Sequence, residues 1–210
     1  MSGGPHGLHP IGQSWVGSHG DALGDEGGVA LATCTTCHGA DYRGTVLSRS
    51  QADRTLSTGG FGTKQFWRGY QVSCFSCHDG PFSENASANH PAHVNGAIAA
   101  TDTRTPIAIP LTATDADGDP LVLRIVSQPL HGTVGLSGAV ATYYPEDGQI
   151  GSESFTFAAS DGSTDSNLAH AQIALPEPSW WADGFAGLAA LLAIAPQRRR
   201  CATKRVTCEG

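Results

Sequence analysis

The sequence predicts a mixed fold class: a mostly irregular N-terminal domain with few short helices, an all-β sandwich, and a short C-terminal helix. Three features of the 210 residues lead to this prediction. Residues 1–100 hold four of the six cysteines and seven of the nine histidines, without sustained apolar periodicity. Residues 103–175 lack cysteine and alternate apolar with polar side chains. Residues 176–210 carry an apolar segment followed by a basic end.

Charge is distributed unevenly along the chain. Nineteen acidic residues stand against twelve basic ones, and five of the basic residues lie in the last thirteen positions. The rest of the chain is therefore strongly acidic and offers no basic face to neutralise phosphates, which argues against nucleic acid as a partner. A basic end placed directly after an apolar run is instead typical of a membrane topology signal.

The N-terminal region contains CTTCHGADYRG at residues 34–44 and CFSCHDGP at residues 74–81. Each stretch begins with Cys-x-x-Cys-His, the attachment signature of a c-type haem. Two thiols at this spacing reach the two vinyl groups on one porphyrin edge, and the adjacent histidine ligates the iron from the proximal side. The pattern predicts two covalent haems, held by Cys34, Cys37, His38, Cys74, Cys77 and His78.

Two other uses of a Cys-x-x-Cys pair fit this chain less well. Zinc ribbons usually place about 15–20 residues between their two pairs, whereas 36 residues separate Cys37 from Cys74. A thioredoxin-like redox pair requires a βαβ context, and no such pattern surrounds either motif.

The N-terminal region has so few aliphatic residues that it would otherwise be expected to be disordered. Two large apolar haems fixed to the chain could supply the missing core, so residues 1–100 are predicted to form a haem-nucleated domain. The aromatic residues near the motifs are expected to pack on the porphyrin faces; they are Trp15, Tyr42, Phe61, Phe66, Trp67, Tyr70, Phe75 and Phe82.

The ligand on the opposite side of each iron cannot be methionine, because the only methionine is Met1. Either a second histidine or an open position remains. The segments HPIGQSWVGSHG and NHPAH resemble the flanking histidine segments of multihaem c-type cytochromes, which implies distal ligands from outside the motifs. Of His6, His9, His19, His90 and His93, we expect His19 at one haem and His90 or His93 at the other, with His9 as the main competitor.

The middle region predicts an antiparallel sandwich. In TPIAIPLTATD, apolar residues from Ile107 to Ala113 recur at period two. Further strand-like segments follow, separated by turns such as DADGDP and EDGQIG, which suggests about seven strands. The stretch from ATDADGDP to SFTFAASDG resembles the bacterial Ig-like, cadherin-like repeats of surface proteins. The resemblance implies an Ig-like β-sandwich over residues 103–175.

The DADGDP turn predicts a second cofactor. Asp115, Asp117 and Asp119 occupy alternate positions around Gly118. Alternating carboxylates around a glycine can converge on a hard cation such as Ca²⁺. The alternative is an ordinary solvated turn, since no glutamate stands at the distance that an EF-hand requires.

The last segment, LPEPSWWADGFAGLAALLAIAPQRRR, resembles the PEP-CTERM sorting signal of Gram-negative bacteria. The resemblance implies that residues 176–178 are the recognition tripeptide and that residues 184–196 contact the membrane transiently. It also implies a sorting peptidase of the exosortase type as a partner. The alternative is a short helix that docks on the sandwich.

Together these features predict an exported electron carrier, not an enzyme, in the periplasm, at the outer membrane or on the cell surface. Two histidines on each iron leave no position for substrate, so the expected partners are redox proteins or neighbouring cytochromes. No signal peptide opens the chain, and we therefore expect a truncated or misassigned start. Two alternatives stay open: a surface adhesion or scaffold protein with structural haems, and a small haem redox enzyme with one open coordination site.

Overall fold

A computed structural model describes residues 9–22 and 31–176. The chain divides into two compact units, Met1–Pro176 and Glu177–Gly210, and all described residues belong to the first. The predicted sorting tail with its short helix, and the candidate ligand His6, lie outside the described residues. Within the described ranges, no helix is long and apolar enough to cross a membrane.

The N-terminal region has little regular structure. It contains two short α-helices and one antiparallel hairpin: α1 (Gln13–Ala22), α2 (Leu31–His38), β1 (Arg54–Ser57) and β2 (Thr63–Phe66). Single 3-10 turns lie at Val46–Ser48, Gly59–Phe61 and Cys74–Ser76. The expectation of few short helices is confirmed for the described residues, whereas a haem-nucleated core stays a prediction.

Residues 48–50 run beside residues 69–72 and bring the first motif close to the second. The Ser50 amide donates to the Tyr70 carbonyl at 2.8 Å, and the Val72 amide donates to the Ser48 carbonyl at 3.3 Å. Gly44 lies against these two segments with a φ of +87°, and a Cβ there would lie 2.9 Å from the Val72 carbonyl oxygen. Only glycine combines that backbone conformation with that close approach.

A four-stranded sheet forms one half of the sandwich, in the order β4-β11-β10-β7. Its strands are β4 (Ala97–Ala100), β7 (Val122–Ser127), β10 (Gly151–Ser160) and β11 (Ala169–Leu175). The central pair β10 and β11 is antiparallel, and β4 runs parallel to β11. The residues of β11 alternate strictly between buried and exposed, as a strand with one face on a core requires.

The remaining strands form a three-stranded sheet, in the order β5-β9-β8, and the pair β3-β6. Their bounds are β3 (His93–Asn95), β5 (Ile107–Pro110), β6 (Thr112–Thr114), β8 (Thr133–Ser137) and β9 (Val140–Tyr144). Because β3 and β4 pair with strands of the sandwich, the sandwich begins at His93 and not at residue 103. His93 is the last histidine of the histidine-rich part of the chain, so composition grouped this stretch with the N-terminal region.

The core of the sandwich lies between these sheets. Fourteen buried apolar residues form one cluster, in which Tyr143, Phe155, Phe157 and Ile173 are fully inaccessible to solvent. Full burial of such a side chain contributes roughly 1.5–3 kcal/mol relative to leaving it exposed. The predicted Ig-like sandwich therefore has a core of its own.

Phe66, Trp67 and Tyr70 pack against Ala158 of β10 and form a second apolar cluster with it. All three aromatic rings are buried in this way. The sequence predicted that these rings would face porphyrin, but they join the N-terminal region to the sandwich. The physical reason is that the small side chain of Ala158 leaves room on the outer face of β10 for large rings from another segment.

The turn at residues 161–167 also joins the two regions. Trp67 Nε1 donates to the Ser166 carbonyl at 3.0 Å, and Ser73 Oγ donates to the Ser163 carbonyl at 2.7 Å. The backbone amide of Gln71 donates to Asp165 Oδ2 at 2.6 Å. Because Ser73 directly precedes Cys74, these bonds fix the second motif on the sandwich.

Candidate haem-binding sites

The first Cys-x-x-Cys-His motif occupies the C-terminal end of α2. Cys34 and Cys37 are three residues apart on this helix and half-buried, so their side chains share one face. His38 is the last helical residue, and Gly39 follows with φ of +82°, the left-handed conformation that often ends a helix. His38 Nδ1 lies 3.1 Å from the Val72 carbonyl oxygen.

The second motif begins in the 3-10 turn Cys74–Ser76. Ser73 and Ser76 bond reciprocally at the start of this turn as a capping box. His78 Nδ1 lies 2.6 Å from the Gly80 carbonyl oxygen. In both motifs a backbone carbonyl therefore holds the Nδ1–H of the histidine, which leaves Nε2 free to bind a metal.

Three of the four motif thiols are unlike reactive cysteines, and the motif side chains do not form one zinc site. Burial raises the pKa of Cys34, of Cys77 and of Cys74, the last to about 11, and the neighbouring Cys34 raises that of Cys74 further. Thiols with raised pKa stay protonated at neutral pH, unlike reactive cysteines. Among the described residues, the motif side chains form no group of three that gathers within 4.8 Å. The geometry therefore does not favour the zinc and thioredoxin-like alternatives.

His19 of α1 approaches His78. Their ring centroids are 6.1 Å apart, and the ring planes differ by 15°. Two imidazoles on opposite sides of one metal, each with a metal–nitrogen bond of about 2 Å, would have centroids about 6 Å apart. His19 Nδ1 lies 2.9 Å from the Val16 carbonyl oxygen, which leaves its Nε2 free as well. The spacing of these two rings fits a pair of axial ligands.

His9 belongs to the surroundings of His38. Burial lowers the pKa of His38, the hydrogen bond with Val72 opposes this, and the charge of His9 lowers the pKa further. His9 stacks on Trp15, with ring centroids 4.7 Å apart and planes 10° apart. Its Nδ1 lies 2.6 Å from the Pro10 carbonyl oxygen. His9 is thus close enough to His38 for its charge to act on that ring.

His90 and His93, which the sequence also offered as distal ligands, lie on the sandwich. His90 is exposed, and its backbone amide and Nδ1 contact the two carboxylate oxygens of Asp117 at 2.6 and 3.0 Å. His93 is exposed on β3, opposite Thr114 of β6.

Gln13 attaches α1 to the rest of the first unit. Its Nε2 donates to the Ser57 carbonyl oxygen at 2.6 Å, and the Ser57 amide donates to its Oε1 at 2.8 Å. One side-chain amide therefore satisfies both backbone groups of a residue on the edge of β1. Between residues 9–22 and the other described residues, these are the only hydrogen bonds. Sequence patterns gave no sign of this role.

The aspartates of the DADGDP turn do come together. One oxygen each of Asp115, Asp117 and Asp119 lies within 4.8 Å of the others. Asp115 Oδ1 accepts the amides of Asp117 and Asp119, whereas its Oδ2 is buried without a partner among the described residues. Such an oxygen fits a calcium ligand, but His90 already engages Asp117. Calcium binding stays a prediction, and a Ca²⁺-dependent melting temperature would test it.

Residues 89–174 match the family model described as "Bacterial Ig domain", a range that runs from just before β3 to the penultimate residue of β11. The coarser part of the sequence prediction, an Ig-like sandwich, is thereby confirmed. No curated protein matches the chain.

Several solved structures share a limited likeness. One is a nucleoside hydrolase-related hypothetical protein from Saccharophagus degradans associated with carbohydrate metabolism, with 15% identity and a TM-score of 0.32 over 42% of this chain and 26% of that chain. Another is an endo-fucoidan hydrolase of glycoside hydrolase family 107, with 17% identity and a TM-score of 0.35 over 60% of this chain and 19% of that chain. A third is a non-cellulosomal cohesin from the archaeon Archaeoglobus fulgidus, with 12% identity and a TM-score of 0.21 over 46% of this chain and 98% of that chain. The chain spans about a quarter or less of the first two, and likenesses this distant carry no argument about function.

Proposed function

We propose that this protein is an exported dihaem c-type cytochrome that transfers single electrons and carries a bacterial Ig domain. The observation that carries the proposal is the pairing of the second Cys-x-x-Cys-His motif with a histidine from residues 9–22. His19 lies opposite His78, with centroids 6.1 Å apart. The two complete motifs supply four thiols and two proximal imidazoles.

The chain's own residues would do three things at each site. The two cysteines would hold the porphyrin through thioether bonds, and the motif histidine would bind the iron through Nε2. The Val72 and Gly80 carbonyls, bonded to Nδ1 of His38 and His78, set the tautomer and make the imidazoles better electron donors. When bound, each haem supplies reversible one-electron chemistry at a potential that its axial ligands tune.

The distal ligands we propose are His9 opposite His38 and His19 opposite His78. This assignment keeps His19 from the sequence prediction and prefers its competitor His9 to His90 and His93. It rests on the ring spacing of His19 and His78 and on the influence of His9 on His38. Two imidazoles on each iron leave no position for a substrate, so electron transfer is favoured over oxygen or peroxide chemistry.

The Ig domain would then act as a mount for the second site. Bonds from Trp67, Gln71 and Ser73 to the turn at residues 161–167 hold the chain directly before Cys74. A rigid mount suits an electron carrier, because it keeps the distances between redox centres constant. An Ig domain also suits the proposed location in the periplasm, at the outer membrane or on the cell surface. Sorting there by an exosortase-like peptidase through residues 176–210 is part of the proposal.

The second candidate function is adhesion or scaffolding at the surface, with haems that only stabilise the N-terminal region. The Ig domain favours it, since it is the largest packed element of the described residues. The small haem enzyme, which needs one open site, has no comparable observation in its favour.

Haem content tests the proposal. Expressed with an export signal and a haem-maturation system, the full chain should carry two haems by intact mass. Changing Cys34 and Cys37 together to Ala should remove one haem and leave the other. A matured chain with one haem or none would refute the dihaem assignment, and two haems without reversible reduction would favour the scaffold.

Carbon monoxide tests the distal ligands. The reduced protein should bind it poorly, because both irons are closed. His19→Ala and His9→Ala should each open one site to carbon monoxide and give a high-spin spectrum for that haem. His90→Ala, His93→Ala and the exposed control His170→Ala should not. Ready binding by the unmodified protein would move the enzyme alternative to first place.

A further inference from the structure

A groove of about 600 Å³ lies between the N-terminal region and the Ig domain. Residues around Arg49 and Arg68 line one side, and residues of β7 that include Arg124 line the other. This volume falls within the roughly 300–1,000 Å³ of typical small-molecule sites. No residue of either Cys-x-x-Cys-His motif lines it, so the groove is separate from the proposed electron-transfer function.

The groove concentrates positive charge in an otherwise acidic chain. Three arginines line it and Asp53 is the only carboxylate among the lining residues, although the whole chain has a net charge of −7. Arg124 is already used: it pairs with Asp165 and lies over the Trp67 ring, with its Cζ 4.9 Å from the ring centroid. Within the described ranges, no carboxylate forms an ion pair with Arg49 or Arg68.

The Arg49 side chain carries an unpartnered buried donor. Its Nε is inaccessible to solvent and has no hydrogen-bond partner among the described residues. Such atoms are rare, because burial removes their hydration and nothing replaces it. A guanidinium is a planar fork of donors that matches the oxygens of a carboxylate or sulfate. Because Nε itself is closed to solvent, an oxyanion bound in the groove would pair with the terminal nitrogens of the Arg49 guanidinium and balance the charge of this side chain.

We propose that this arginine groove binds a small organic oxyanion, either a carboxylic acid or a sulfate ester. Its oxygens pair with Arg49 and Arg68, while its carbon body lies against Val126 and Leu168. The hydroxyls of Ser127 and Thr156, 2.7 Å apart, also line the groove and are available to a polar substituent. Val126 and Leu168 beside the arginines offer an organic anion an apolar contact that an inorganic anion cannot use.

Benzoate and phenyl sulfate test the proposal with the full, matured chain, because they share one apolar body and differ in the oxyanion. Binding is measured by titration calorimetry and by the rise in melting temperature that a ligand of the folded state produces, with sodium chloride at equal ionic strength as the control. We expect one-to-one binding of at least one probe. The probe that binds more tightly identifies the oxyanion as carboxylate or sulfate.

Arg49→Met and Arg104→Met are the matched variants, since Arg104 is an exposed arginine that does not line the groove. Arg49→Met should weaken binding at least tenfold and leave the ligand-free melting temperature unchanged or higher, because it removes a buried unpartnered donor while keeping an apolar stem. Arg104→Met should bind like the unmodified chain. Binding of neither probe, or equal binding by Arg49→Met, would overturn the proposal. A ligand-free Arg49→Met that melts well below the unmodified chain would make Arg49 structural instead.

Discussion

The Ig domain buries fourteen apolar residues in one cluster, whereas the described part of the N-terminal region places only Phe66, Trp67 and Tyr70 in a second cluster, against Ala158 of the Ig domain. The Ig domain has regular strands whose side chains alternate in and out of a common core. The N-terminal region is built from short helices, single turns and one hairpin. We therefore expect the Ig domain to fold on its own contacts and the N-terminal region to depend on the Ig domain.

Four predictions would break or sharpen this comparison. They run from the largest expected effect, in the core of the Ig domain, to the smallest, at the surface of the N-terminal region.

Phe157→Ala should have the largest effect on folding. Phe157 is fully buried at the centre of β10, and truncating such a side chain typically costs about 3–5 kcal/mol of unfolding free energy. Phe82→Ala is the matched control in the N-terminal region, because Phe82 is 86% exposed, and should change stability by less than about 0.5 kcal/mol. Denaturant unfolding of both variants measures the difference. Equal losses would show that the two regions do not differ in this way.

Trp67→Ala should loosen the N-terminal region and leave the Ig domain folded. The change removes a buried ring, its hydrogen bond to the Ser166 carbonyl and its contact with Arg124, at a cost of about 3 kcal/mol or more. Trp67→Phe keeps most of the packing and loses only the hydrogen bond, about 1 kcal/mol. In hydrogen exchange, amides of residues 48–76 should exchange faster while those of β11 stay protected. Equal deprotection of β11 would mean that the two regions unfold together.

Acid should lower the stability of the Ig domain and raise the stability of the junction between the two regions. Burial raises the pKa of Glu153, but hydrogen bonds from His131 and Leu130 outweigh it and hold that pKa below its usual 4.5. A carboxyl with a lowered folded pKa stabilises above its unfolded pKa, and the contribution is lost as the pH falls through the folded value. At the junction, burial raises the pKa of Asp165 above 3.8 despite Arg124, so ionisation of Asp165 opposes folding as the pH rises through that window.

The unfolding free energy measured from pH 3 to pH 7 checks this prediction. Glu153→Gln should remove much of the acid-induced loss of stability in the Ig domain. Asp165→Asn should remove the fall in stability of the junction as the pH rises, and hydrogen exchange in residues 69–73 measures that stability. The same slope in both regions would contradict the assignment. Burial also lowers the pKa of Arg124, so both partners indicate that desolvation outweighs their attraction.

Local patterns in the sequence predicted some of these features and missed others. The alternation from Ile107 to Ala113 predicted the strands β5 and β6, whereas the assignment of the two cysteine motifs to haem stays a prediction. The polar turn DGSTDSN is largely buried, because Asp161 bonds its own turn and Asp165 bonds residue 71, and its composition gave no sign of this. The aromatic cluster was missed for a similar reason. Its partner, Ala158, lies about ninety residues away in the sequence, and no local periodicity reports a contact at that separation.

Gln13→Ala should have the smallest effect on stability and a clear effect on the proposed sites. Gln13 is exposed, so losing its two bonds to Ser57 should cost no more than about 1–2 kcal/mol. These bonds hold the helix that carries His19 opposite His78, and without them the reduced protein should bind carbon monoxide more readily and show more high-spin signal. Gln13→Glu keeps the bond from the Ser57 backbone amide. Its carbon monoxide binding should therefore lie between that of the unmodified chain and that of Gln13→Ala. Ser18→Ala is the matched control, because Ser18 bonds only within α1. Unchanged carbon monoxide binding in Gln13→Ala, with two haems present by mass, would mean that α1 is held by its packing and not by this amide.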